Sequence, residues 1–167
     1  VVNTLTAFDS VETVSIFLNG CNDITANGSL PPQKHGKYAL NVENAEIATS
    51  GSAKPLTLYF PNESGSLMIP ITRYAEGSTD LYSCIQQLAA GTELRGLRSC
   101  FPENTLVLGA VIENCILTVN LSSDFETVAN DAGLLNLATQ SVLLTALPYG
   151  SINEVHFAVN GIPLKID

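Results

Sequence analysis

Hydrophobic and polar positions change rhythm several times along this chain, and each change marks an element. After Pro55 the run LTLYF puts Leu56, Leu58 and Phe60 on one face and Thr57 and Tyr59 on the other. That is the period of two expected of a half-buried strand. PNESGS is polar and turn-rich, and LMIPITRYA is a second extended run. Pro70 cannot donate a ladder hydrogen bond, which predicts an edge strand or a bulge there. The period then becomes helical. In STDLYSCIQQLAAG, Leu81, Cys84, Ile85 and Leu88 share one face, with Ser78 or Thr79 placed to cap and Gly91 to stop the helix. TLVLGAVI and ILTVNL flank Glu113-Asn114-Cys115 as the arms of a hairpin. A second helix is predicted from Asn130 or Asp131 to Leu147, with Leu134, Ala138, Val142 and Ala146 as its buried ridge. INEVHFAV closes the series as a strand, with Val155, Phe157 and Val159 inward and His156 outward. The order ββαββαβ specifies an α+β fold, a small mixed β-sheet with two helices packed on one face.

The two ends of the chain resemble each other. LTAFDSVETVSIFLNG, residues 5–20, matches LTALPYGSINEVHFAVNG, residues 144–161, in its Leu-Thr-Ala start, its Asn-Gly finish and the phase of apolar positions between them. Helix end, turn, strand and Asn-Gly follow in the same order, which points to an internal repeat. Residues 1–20 are therefore expected to be the C-terminal remnant of a preceding copy, and 55–167 a complete domain. Residues 21–54 carry Asn-Gly, Pro-Pro and His-Gly breakers without a sustained period, and they read as a linker.

Composition narrows the function. With 46% hydrophobic and 14% charged residues the chain suits a globular core, and a net charge of −9 opposes nucleic-acid binding, which needs a basic stripe. The same charge disfavours docking on an anionic membrane surface. No run approaches the ~20 apolar residues that a membrane span needs. Cys21, Cys84, Cys100 and Cys115 lie at wide spacings without a metal-binding register. They are expected to be reduced, with a Cys84–Cys100 bridge as the alternative.

Candidate chemistry is sparse. Of the two histidines, His35 falls in the linker and His156 on an outward strand position, so neither is poised beside a nucleophile. Asp124, Glu126 and Asp131 stand where a helix begins, a placement that capping and dipole compensation explain. Arg95 and Arg98 flank Gly96 in a loop, solvated or paired with acids. No Gly-rich phosphate loop occurs, and CNDITANG is too poor in acids for a calcium cage. No catalytic, cofactor-binding or metal residue is assigned. What remains is surface: Tyr59, Arg73 and Tyr74 lie on the opening hairpin, and tyrosine and arginine are enriched at binding hot spots. Pairing of Tyr59 with Tyr74 across the hairpin is the structural alternative.

LTLYFPNESGSLMIPITRYAEG, DLYSCIQQLAAG, RSCFPENTLVLGAVIENCILTVNLSSDF and the closing helix and strand together resemble the GerM domain family over residues 55–165. Asn114-Cys115 stands where that family turns on Asp-Gly or Asn-Gly, and basic residues are few. The resemblance implies a core related to ring-building folds, in a Gram-positive sporulation or germination protein that is extracytoplasmic and anchored as a lipoprotein. It implies a non-enzymatic protein–protein assembly module without cofactors. Its partners would be other envelope or sporulation-complex proteins and further copies of itself, with no nucleic acid and with membrane contact only through an upstream lipid anchor. The alternative is an extracellular domain that binds cell-wall glycan or a small solute.

Overall fold

The computed structural model describes residues 1–18, 21–22 and 39–164. It divides the chain into two units, Val1–Leu40 and Asn41–Asp167. In the smaller unit a single helical turn, Val2–Leu5, is closed by the Thr6 hydroxyl, which donates to the Val2 carbonyl at 3.0 Å. Strand Phe17–Leu18 pairs antiparallel with Cys21–Asn22. The breaker-rich stretch 23–38, with His35, lies outside the described residues.

The larger unit starts before the expected domain boundary. Asn41 and Asn44 both take positive φ, 47° and 51°, a conformation that asparagine tolerates better than most residues. They bracket β1, Val42–Glu43, which pairs in parallel with Thr72 and Arg73. The Asn41 amide donates to the Pro70 carbonyl at 2.7 Å. The Asn44 side chain donates to the Tyr74 carbonyl at 2.8 Å and accepts the Tyr74 N–H at 3.0 Å. Residues 41–54, which the sequence assigns to the linker, are therefore built onto the sheet. A two-residue strand held by asparagine side chains has no periodicity by which to recognise it.

The expected ββαββαβ series follows. β2 is Lys54–Pro61, β3 Met68–Ala75, α1 Leu81–Ala89, β4 Val107–Glu113, β5 Ile116–Leu121, α2 Ala132–Ala146 and β6 Glu154–Val159, with a short β7, Ile162–Pro163, after it. The α+β class stands, and the strands divide between two sheets, β1-β3-β2 and β4-β5-β6-β7. Both are mixed: β1/β3 and β5/β6 are parallel, the other pairs antiparallel. Pro70 lies outside the two positions that β1 pairs, so it fits without breaking that ladder. The helix starts are sharp. Asp80, rather than Ser78 or Thr79, caps α1 by accepting the Ser83 N–H at 2.8 Å. Asp131 caps α2 by accepting the N–H groups of Gly133 and Leu134 at 2.9 and 3.0 Å. Gly91, at φ 80°, turns the chain out of α1 in the left-handed conformation open to glycine.

Both helices serve both sheets. α1 packs on β2 and β4, α2 on β2 and β6, and the helices pack on each other. Leu58, Phe60, Ile71, Ile85, Leu88, Leu117, Val119 and Val142 are fully enclosed in a single core. Phe125 joins Phe101 and Phe157, at centroid separations of 5.6 and 4.9 Å. One buried helix face is polar, and it completes the outer edge of β2. The Ser141 hydroxyl donates to the Tyr59 carbonyl at 2.6 Å, and the Tyr59 N–H donates to the Thr145 hydroxyl at 3.0 Å. Ser141 and Thr145 are buried one turn apart, the spacing that puts both side chains on one strand edge. Among the described residues no helix is long and apolar enough to cross a membrane.

Ser141→Ala and Thr145→Val each strip one partner from a half-buried backbone group of Tyr59. Each is expected to lower unfolding stability by about 1–3 kcal/mol in chemical denaturation. Losses near zero for both would mean that water, not the helix, satisfies this edge.

Candidate functional site

The three residues singled out on the opening hairpin do not form one surface. Arg73 and Tyr74 are consecutive in β3, so their side chains leave opposite faces of the sheet. Tyr59 stands opposite Pro70 and Tyr74 opposite Pro55, so the two tyrosines are not a cross-strand pair either. Both are half-buried, and Arg73 is buried.

Arg73 is fully engaged. Its Nε donates to Glu43 Oε2 at 2.6 Å, and its terminal nitrogens reach the same carboxylate, the carbonyl and side-chain oxygen of Gln87, and the Gly91 carbonyl. The Glu43 carboxylate takes two further bonds on Oε1, from the Thr92 hydroxyl at 2.7 Å and the Glu93 N–H at 2.9 Å. Burial pushes the Glu43 pKa up, but these hydrogen bonds and the Arg73 charge outweigh it and hold the carboxyl below its ordinary 4.5. The pair walls a cleft of about 580 Å³ shared with Asn44, Glu46, Gln87 and Glu93. With every guanidinium donor committed, Arg73 has none left for a ligand. Its role is to weld β1 and the end of α1 to the sheet.

The remaining candidates are also accounted for. His156 is exposed, as expected of its outward strand position, and bonds Glu154 through Nε2 at 2.8 Å. Asp124 accepts the Ser122 hydroxyl at 2.8 Å. Arg95 is exposed and Arg98 half-buried. Cys84, Cys100 and Cys115 are free, so the alternative Cys84–Cys100 bridge is not formed. Burial pushes both thiols up, Cys100 to about 11, so both stay protonated and poorly nucleophilic at neutral pH. Among the described residues no group of three His, Cys, Asp or Glu side chains is placed to hold a metal ion.

The unclaimed feature is the edge strand β4. Its N-terminal end leaves Leu106 61%, Leu108 47% and, further along, Val111 51% exposed. Leu108 is pushed out at a register shift between Val107 and Gly109. Tyr82 of α1 is exposed at the same edge and donates its hydroxyl to the Val107 carbonyl at 3.0 Å. Leu106, Leu108 and Val111 are thus exposed apolar side chains along this edge of a strongly acidic chain, with Tyr82 bonded to its backbone at one end. Sequence reasoning missed it, because the alternation of TLVLGAVI does not say which face the helices cover.

A family model described as Germane, sporulation and spore germination, matches residues 57–165. The chain belongs to the Germane family. This Germane chain is similar to the solved tandem GerMN domains of the sporulation protein GerM from Bacillus subtilis, at 24% identity and TM-score 0.68. That likeness covers 95% of this chain and 58% of the tandem structure, so the chain spans a little over half the length of that relative. The first GerMN domain of the same protein matches at 21% identity and TM-score 0.52, over 67% of this chain and 86% of that one. At these identities the likeness establishes the fold. No curated protein matches the sequence.

Glu43 yields a pH test. Its folded pKa lies below the unfolded value near 4.5. Its stabilisation is therefore present above that value and is lost as pH falls through the folded one. Glu43→Gln is expected to cost about 2 kcal/mol near neutral pH. The deficit should shrink as pH falls from 4.5 through the lowered folded pKa and the wild-type carboxyl protonates, measured by urea unfolding across pH. A deficit that does not change with pH would place its cause outside this ion pair.

Proposed function

We propose that this Germane chain is a non-enzymatic assembly module of a Gram-positive sporulation or germination protein, acting through contact with other envelope proteins. Family membership supports the biological setting. The observation that carries the molecular role is the exposure of Leu106, Leu108 and Val111 along the β4 edge, with Tyr82 at its N-terminal end. Aliphatic side chains beside an amphipathic aromatic suit a protein interface core, where charged residues are depleted. The glycan or solute alternative rests on tyrosine and arginine exposed on the opening hairpin, where Arg73 is instead consumed within the fold and Tyr59 and Tyr74 are half-buried.

Residues 1–20 belong, in this proposal, to the end of a preceding copy. Support comes from their recurrence at 144–161 and from the extent of the likeness to a tandem-domain structure. The proposed location is extracytoplasmic, with the full-length protein held by a lipid anchor, a setting in keeping with the family resemblance.

Cross-linking in sporulating cells, with mass spectrometry of the linked peptides, is expected to place a defined envelope partner against the β4 edge. Leu108→Glu should weaken that contact about tenfold or more with unchanged thermal unfolding, as loss of a central apolar contact does. Turnover of a peptidoglycan or ester substrate that a single substitution abolishes would overturn the assembly role. Binding to cell-wall fragments that Tyr74→Ala removes would favour the glycan-binding alternative. For location, protease added outside intact cells should degrade the full-length protein, and complete protection would reverse that assignment.

A further inference from the structure

In the larger unit, three of the four sheet edges are blunted among the described residues. The Tyr59 edge of β2 is closed by Ser141 and Thr145. The far edge of β3 carries β1, and the sheet beyond β6 ends in the two-residue, proline-containing β7. β4 is the long edge left over, and among the described residues only its Val107 carbonyl is met, by Tyr82.

The hairpin register says which backbone groups of β4 face outward. A two-residue turn at Asn114-Cys115, both at positive φ, makes Glu113 and Ile116 the closing hydrogen-bonded pair. Bonded and non-bonded pairs alternate from there, so Val111 with Thr118 is bonded inward. Ala110 and Ile112 therefore direct their N–H and C=O groups away from β5. Neither has a further backbone partner among the described residues.

We propose that this edge pairs with the same edge of a second copy of the chain, antiparallel about a two-fold axis at Val111. The inference rests on the assembly role and names the partner. In that register Ala110 faces Ile112 of the partner, and Ile112 faces the partner's Ala110. Each pair exchanges both of its N–H···O bonds, and the two sheets join into one. Val111 meets its symmetry mate side by side, covering an exposed valine. Glu113 falls opposite Gly109 of the partner, a position where even an added Cβ would meet nothing within 4 Å, so like charges do not face each other. A register centred on Ala110 would push Ile112 against the Leu108 bulge, and one centred on Ile112 would push Ala110 against the turn at Asn114. The Val111 register alone uses both open residues. A self-complementary patch of this kind closes as a dimer instead of growing into a filament.

Sedimentation velocity of the full chain over about 1–100 µM is expected to show a concentration-dependent dimer, the range in which a modest strand-pairing interface populates. Ala110→Pro removes an outward N–H and no ladder bond of its own sheet, and Val111→Glu sets two charges against each other at the axis. Each should weaken dimerisation about tenfold or more while leaving the circular dichroism spectrum unchanged. Val111→Cys should form an intermolecular disulfide between the introduced thiols under mild oxidation, mapped by mass spectrometry. A monomer at every concentration, or a dimer that survives both Ala110→Pro and Val111→Glu, overturns the proposal. A monomer that still contacts an envelope partner in cells overturns the self-pairing and leaves the assembly role standing. A dimer in a chain that meets no envelope partner does the reverse.

Discussion

Two short sheets share one core in this protein, and each brings edges whose backbone N–H and C=O groups must be satisfied. A buried, unpartnered peptide group costs on the order of 1–3 kcal/mol, a large fraction of a small domain's margin. The fold meets that demand by different means at different places. Helix α2 turns two hydroxyls toward Tyr59, and Asn41, Asn44 and β1 cover the β3 edge. The placement of α2 over β2, and of residues 41–54 over β3, follows from this requirement as much as from apolar burial.

The ion pair of Glu43 and Arg73 belongs to the same logic. Taking a guanidinium out of water is expensive unless every donor finds an acceptor. Here it collects a carboxylate, two backbone carbonyls and a side-chain amide oxygen. In doing so it ties β1, β3 and the C-terminal end of α1 to one point. An arginine so placed builds a junction and has no donor left for a ligand.

The fold leaves one long sheet edge open among the described residues. β4 is long and carries Leu108 and Val111 outward, with Leu106 exposed just before it. A sheet edge of this kind is a liability in a solitary protein and a template in an assembling one. Membership of the Germane family sets the chain among sporulation and spore germination domains, and the assembly role proposed above is what would make use of this edge.

Much of the fold was legible from local pattern. The alternation of Leu56, Leu58 and Phe60, the helical spacing of Cys84, Ile85 and Leu88, and the ridge of Ala138, Val142 and Ala146 all face the core as their periods require. Burial selects for period, and period survives in the sequence. β1 was not legible, because two residues have no period, nor was the division of the strands between two sheets, since pairing joins residues far apart in the chain. Arg73 and the tyrosines show the same limit at the candidate site. Residue type marked them as binding groups, yet the groups around Arg73 had already used every donor it has. Local sequence was enough to set the elements, their order and their buried faces, because these depend on neighbours within a turn or a strand. Which edges are closed and which is open was settled only by the folded chain, because a backbone hydrogen bond depends on what distant residues bring beside it.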